Sequence, residues 1–252
     1  MIPAFLKAFY PDLLKYKLHT VRIKAMPLKN GKTLPVKKSK FLGKPYLPVT
    51  QPYPMNKFGK PMILFAQINF EEMPRLKNYP SKGILQIFTS ECFWAYGNEY
   101  FLYLYHSDIS QKYQTDFSFL TDDLYTDLPI NCEHRLIFSK ETEYGGPEDF
   151  RFHLNFNGKF FDEFQDGLSN KELEEFDKFF RSTGHKIGGY AYFTQCDPRE
   201  GEPERADDLL LLQIDTDNEI MFGDAGVANI FINIDDLKKK RFEKAYFNWD
   251  CC

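Results

Sequence analysis

Short apolar runs of strand length, separated by turn residues, recur along most of the chain, and helical spacing surfaces in only a few places. Phe5, Phe9 and Leu13 stand four residues apart and predict a helix over 3–16, broken or restarted at Pro11. Residues 17–24 carry Thr20, Val21 and Ile23 and suit a strand. Residues 27–61 are rich in Pro, Gly and Lys, which predicts extended segments and turns. Strands are predicted next over 62–68, 83–88 and 100–105. In the last, both alternating sets are apolar, which predicts a strand covered on both faces inside the fold. Further strands are predicted over 136–139 and 150–156; in the second, Phe150, Phe152, Leu154 and Phe156 alternate with Arg151, His153 and Asn155. The clearest helix is 170–182. Ser169 stands at its N-cap with Glu172 three residues on, Leu173, Phe176 and Phe180 form one stripe, and Gly184 supplies the stop. A short helix is predicted over 235–241, with Asp235 and Asp236 at its positive end and Lys238, Lys239 and Lys240 at its negative end.

Two stretches of this pattern resemble each other, in order. Tyr46-Leu-Pro-Val-Thr-Gln51, Leu64-Phe-Ala-Gln67-Ile-Asn69 and Gly83-Ile-Leu-Gln-Ile-Phe88 match Tyr190-Ala-Tyr-Phe-Thr-Gln195, Leu210-Leu-Leu-Gln213-Ile-Asp215 and Gly226-Val-Ala-Asn-Ile-Phe231. A rival register sets Ile68-Asn69 against Ile232-Asn233, and short apolar strands also match by chance. Internal duplication, with pseudo-repeats about 39–105 and 185–250, is therefore one of two readings.

Composition adds one large effect. The 252 residues include 26 Phe, 15 Tyr and 2 Trp, which excludes disorder and points to a dense, strand-rich globule. Length alone allows one large domain or two small ones. Charged residues interrupt every apolar stretch near the N-terminus, and no run is long enough for a secretory core or a spanning helix. The reading is a soluble cytoplasmic protein without membrane association. Five cysteines (Cys92, Cys132, Cys196, Cys251 and Cys252) lack paired spacing apart from the terminal two, so reduced thiols are the economical reading.

The formal net charge of −4 hides a polarity along the chain. Residues 1–60 hold 13 Lys and Arg against the single acid Asp12, and the remaining 192 residues hold 19 bases and 35 acids. Lys29, Lys32, Lys37, Lys38, Lys40 and Lys44 could attract nucleic acid, but Arg22 is the only arginine with them and no recognition motif follows. Internal charge complementarity is the preferred reading, and nucleic acid is set behind it.

Candidate chemistry gathers at Gln51, Gln67, Gln195 and Gln213, each beside an apolar strand, and at Asp197, Arg199, Asp215 and Asp224. These eight are the candidate binding residues: amides both donate and accept, and an Asp–Arg pair suits a polar ligand. Their other reading is internal, as partners for main-chain groups where strands end or cross. Residues 215–219 look like the start of a calcium loop, but Ile220 occupies the position that needs glycine and Gly226 the one that needs glutamate. Cys196, His185 and Asp197 could be assembled into a thiol nucleophile, yet nearby acids would oppose a thiolate. No metal site, cofactor or catalytic residue is assigned. Signatures for phosphate loops, serine hydrolases, zinc proteases and dinucleotide binding do not occur.

Several segments together resemble the YwqG-like family of bacterial proteins over about residues 35–251. They are Ser39-Lys-Phe-Leu-Gly-Lys-Pro-Tyr-Leu-Pro48, Gly59-Lys-Pro-Met-Ile-Leu-Phe-Ala-Gln67, His185-Lys-Ile-Gly-Gly-Tyr-Ala-Tyr-Phe-Thr-Gln195, Asp197-Pro-Arg199, Leu210-Leu-Leu-Gln-Ile-Asp215, Gly223-Asp-Ala-Gly226 and Asn248-Trp-Asp-Cys251. The resemblance implies an α+β fold, mostly antiparallel sheet with a few flanking helices, and a single domain over 1–252. It implies no reaction, cofactor or catalytic residue; relatives beside toxin genes imply immunity-type binding. The family pattern has Gly where Leu42 stands, Pro where Ala191 stands and Trp where Phe222 stands. The expectation is a non-catalytic protein that binds an unidentified protein partner, a toxin in the immunity reading. The alternative is small-molecule or carbohydrate binding or processing in a polar cleft.

Overall fold

A computed structural model describes residues 2–29, 31–90, 93–94 and 98–251. Ten antiparallel strands form one sheet: β1 Leu18–Pro27, β2 Lys40–Phe41, β3 Ile63–Asn69, β4 Ile84–Thr89, β5 Phe101–His106, β6 His134–Glu143, β7 Lys186–Gly188, β8 Asp208–Asp215, β9 Val227–Asn233 and β10 Tyr246–Asp250. Their order is β10-β9-β8-β7-β1-β6-β2-β3-β4-β5. The long β1–β6 pair sits at the centre in register from Leu18↔Glu143 to Pro27↔His134, and a four-strand meander extends from each side of it.

The sheet curls into a nearly closed barrel. Its two end strands share no ladder; instead the Phe101 and Phe247 rings stack with centroids 4.1 Å apart, and Trp94 meets Trp249 at 5.0 Å. Buried side chains from every strand except β10 fill the interior, Phe41, Phe65, Phe93, Phe222 and Ile230 among them. Phe222 packs 6.0 Å from Phe93 and 6.5 Å from Phe65. Residues 100–105 are covered on both faces, as expected, one face at the seam and the other under a loop; the correction concerns their place, since they form the end strand β5 and not an interior one.

A second core packs outside the barrel. Residues 4–16 form a 3-10 turn over Ala4–Phe9, the short helix α1 over Tyr10–Leu13 and another 3-10 turn over Leu14–Tyr16, with Pro11 in the first helical turn. Leu6, Phe9 and Leu13 meet Phe156, which precedes α2 (Phe161–Gln165), and Phe176 and Phe180, within and at the C-cap of α3 (Asn170–Phe179); Phe161 and Phe164 of α2 pack against them. Helix α3 begins with the expected capping box: the Glu172 carboxylate accepts from Ser169 N at 3.0 Å. Helix α4 spans Ile234–Lys239. The strand expected over 150–156 is absent. Phe152, Leu154 and Phe156 do point inward as the alternation demands, but no strand pairs with them, and Phe152 N closes a turn onto Asp149 O. Alternation reports burial; a strand also needs a partner.

Backbone strain marks the residue that follows β2. Leu42 adopts φ 55°, the left-handed region that glycine favours, and keeps its side chain buried beneath β2.

Candidate functional site

Strands β2 and β7 are short, and each delivers a lysine beside a glutamine: Lys40 pairs with Gln67, and Lys186 with Gln213. All four side chains are fully buried, so each polar atom needs a partner. Gln67 Oε1 accepts from Tyr46 N at 2.9 Å, and its Nε2 donates to Val36 O and Lys38 O at 2.6 and 2.8 Å. Gln213 Oε1 accepts from Tyr192 N at 2.9 Å, and its Nε2 donates to Ser182 O and Gly184 O at 3.0 and 2.7 Å. Every residue in the first set stands 146 positions before its counterpart in the second. One strand further out, Gln86 Nε2 donates to Tyr46 O and Asn229 Nδ2 to Tyr192 O. The ladders carry matching irregularities too, between Leu64 and Ala66 and between Leu210 and Leu212.

The lysines are neutralised by acids from β6 and the loop before it. Lys40 Nζ lies 3.1 Å from Glu133 and also donates to Leu34 O and Lys44 O. Lys186 Nζ lies 2.9 Å from Glu143, which also pairs with Arg22 at 2.8 Å and accepts from Tyr190 N at 2.7 Å. Burial pushes the Lys186 ammonium down to about 8 despite Glu143, and it lowers Lys40 as well. Gly188 and Gly189 take positive φ beside this pair; a Cβ on Gly189 would collide with the Glu143 carboxylate.

Asp197 and Arg199 belong to a third buried cluster, with Asp149 at its centre. Arg199 donates to Asp197 through Nε at 2.8 Å and Nη2 at 2.6 Å, and its Nη2 also reaches Asp149 at 2.9 Å. Its guanidinium lies 4.4 Å over the Phe231 ring and 4.9 Å over Phe150. Asp149 further accepts from Arg151 at 2.7 and 2.6 Å and from Ala191 N at 2.9 Å. Burial opposes ionisation of Asp149, but the Arg151 and Arg199 guanidiniums outweigh it and hold the carboxyl well below the usual carboxylate range. Proline at position 191 would lack the N–H that Ala191 donates to Asp149.

The other predicted residues lie apart. Asp215 accepts from Gly184 N at 2.5 Å and from Thr216 N at 2.8 Å. Next to it, His185 Nδ1 accepts from Asp215 N at 2.9 Å while Nε2 faces Asp217 at 3.1 Å, so both ring nitrogens are committed and neither faces Cys196. Gln195 is exposed and donates to Cys251 O at 2.6 Å; Gln51 is half-buried and its main-chain O accepts from Gln114; Asp224 is exposed on a turn. The sequence match of Gln51 with Gln195 therefore has no counterpart in contacts. By hydrogen-bonding role, Tyr46 corresponds to Tyr192 and not to Tyr190.

The eight residues do not converge on one cleft. One surface cavity of about 530 Å³ is lined by residues including Lys38, Glu72 and Arg135, and another of about 640 Å³ by residues including Glu148, Phe161 and Phe180; none of the eight lines either. Sequence reasoning named Lys40 only as one of a basic run, whose internal pairing it preferred, and missed Lys186, Glu133, Glu143 and Asp149. The two lysines were within reach, since they obey the same 146-residue spacing as Gln67 and Gln213. Among the described residues no group of His, Cys, Asp and Glu is placed to hold a metal, and no helix is long and apolar enough to cross a membrane. Cys132, Cys196 and Cys251 are free thiols; Cys92 and Cys252 lie outside the described residues.

With this geometry in hand, a family model described as a domain of unknown function (DUF1963) matches residues 39–251. The chain belongs to that family. The match spans both meanders and the central β1–β6 pair except β1 itself, and takes in all eight candidate residues and both lysine–glutamine pairs. No curated protein matches the chain.

Proposed function

We propose that the protein is a non-catalytic binding protein that acts through a protein partner, as an immunity protein does toward its toxin. The observation that carries this reading is the commitment of the recurrent polar groups: Gln67, Gln213, Asp149, Asp197 and Arg199 each bond main chain or a buried counter-charge. Groups spent in this way hold loops onto a sheet, which leaves recognition to the outer surface. The matched contacts support a further reading: 39–105 and 185–250 are two copies of one unit within a single domain over 1–252. Within the DUF1963 family, the ordered motifs support kinship with YwqG-like proteins.

The test is co-expression with the product of the neighbouring gene. The expected result is rescue of growth and a complex that co-purifies in fixed ratio; separate elution of the two proteins under all conditions would count against the reading. One observation favours a second reading, small-molecule binding. The 640 Å³ groove combines the Phe161 and Phe180 rings with Glu148, a carboxyl that burial pushes up against its bond from Ser182. A thermal-shift screen over sugars, nucleotides and divalent ions separates the two. Stabilisation by one ligand class, lost in Phe161→Ser, would transfer the assignment to that groove.

A further inference from the structure

The two meanders are alike in their hydrogen bonds and unlike in what covers them. On the outer face of β3–β5, Met62, Leu64 and Phe88 are buried with Leu102 beside them; on β8–β10 the matching ladder positions are Leu210, Phe231 and Tyr246. Each face lies under a loop. Over β8–β10 the covering loop turns charge inward: Arg199 lies on Phe231, and Arg205 lies 4.8 Å over Tyr246. Its outer surface carries the exposed acids Glu200, Glu202, Glu204 and Asp207, and no large apolar side chain between 190 and 208 is exposed.

Over β3–β5 the cover is built the other way. The 44–62 loop is laced to 107–120 by Val49 N to Lys112 O at 3.0 Å and Gln114 N to Leu47 O at 2.8 Å, and Tyr53 packs edge-on to Phe119 at 4.8 Å. Above these contacts Phe58 is 69% exposed, Val49 56%, Met55 51%, Phe119 41% and Tyr113 40%. Lys57 and Lys112 stand exposed among them, and Lys57 Nζ lies 5.4 Å over the Phe58 ring. From Leu13 to Phe70 the chain contains no acid. From the second segment, Asp108 and Asp116 are bonded by Ser110 and Ser118, with the weaker pull of Lys37 and Lys44 beside them.

We infer that this loop surface is the docking face for the protein partner, and that the partner presents an acidic segment carrying apolar anchor side chains. The inference rests on the protein-binding reading and narrows it. Charge selects the partner: lysines ring the patch, and a carboxylate-bearing segment meets them without desolvating a buried ion. Apolar area selects a protein over a phosphate backbone, because five exposed apolar side chains gain nothing from phosphates and no arginine stands among them for phosphate or base contacts. Phe58 and Met55 are the anchors, since aromatic and methionine side chains concentrate binding energy at interface centres.

The experiment titrates the full chain with a fluorescent peptide of alternating acidic pairs and Leu or Phe anchors. A peptide with serine at the anchors, a short duplex DNA, and vesicles of phosphatidylcholine with phosphatidylserine are the comparison arms. The anchored peptide binds best, and its affinity falls as salt rises from about 50 to 300 mM. Phe58→Ser and Lys57→Glu each weaken it about tenfold or more while the melting temperature stays put. Equal binding of the serine peptide, tighter binding of DNA or vesicles, self-association of the chain through Phe58, or no effect of either substitution would overturn the inference. A neighbour-encoded partner that still co-purifies with Phe58→Ser would leave protein binding standing and place it on another face.

Discussion

Asn229 is one methylene shorter than Gln86, and that difference leaves a defect in one half that the other lacks. Gln86 Oε1 meets His106 Nε2 at 2.9 Å. The corresponding ladder positions hold Asn229 and Asp250, and there Asn229 Oδ1 and Asp250 Oδ1 are both buried without a partner. Burial raises the Asp250 carboxyl, partly offset by its bonds from Gln195 N and Thr194 N. A carboxyl raised in the fold is destabilising once ionised, so replacing it with an amide helps at neutral pH. Asp250→Asn is expected to stabilise by about 1 kcal/mol at pH 7, with the gain shrinking toward pH 4, in urea denaturation. Ala191→Pro should act in the opposite direction. It removes the N–H bonded to Asp149 and is expected to cost about 2 kcal/mol by the same measurement.

Elements were legible where the sequence encodes their ends or their periodicity. The capping box at Ser169 placed α3, and β-branched residues placed β1, because both signals are local. Two misreadings have one cause. Residues 150–156 alternate without a partner strand, and β5 has two apolar faces although it ends the ladder. A side chain reports whether it is buried; it does not report which strand, if any, lies alongside. The polar site was half legible for the same reason. Gln67 and Gln213 announced themselves beside apolar runs, whereas Glu133 and Glu143 matter only because the β1–β6 pair carries them to Lys40 and Lys186. Loss of either glutamine strands a main-chain N–H and two carbonyls. Gln67→Ala and Gln213→Ala are each expected to cost about 3 kcal/mol, to a similar extent in the two halves, in chemical denaturation.

At the scale of the molecule, a barrel that buries so many ions responds to acid. Burial lowers His134 and His106, against the pull of Asp217 and Glu219 and with His185 alongside in the case of His134. Each histidine binds fewer protons folded than unfolded between its lowered value and 6.5, so stability falls as pH drops through that window. Asp149, held low by its arginines, gives the same sign in the carboxylate range, while Glu148 and Asp208, both raised, oppose it there. Unfolding free energy measured from pH 7 to 5 should decline, and His134→Gln should flatten the decline; a flat wild-type profile would show that the buried histidines titrate normally. The central claim is that the glutamine side chains fasten the covering loops to the sheet in both meanders. Native-state hydrogen exchange at the Tyr46 and Tyr192 amides tests it most directly. Both should exchange only through global unfolding, and each should lose its protection when its own glutamine is changed to alanine, the other staying protected. Rapid exchange of either amide in the wild-type chain, or protection indifferent to the glutamines, would contradict it.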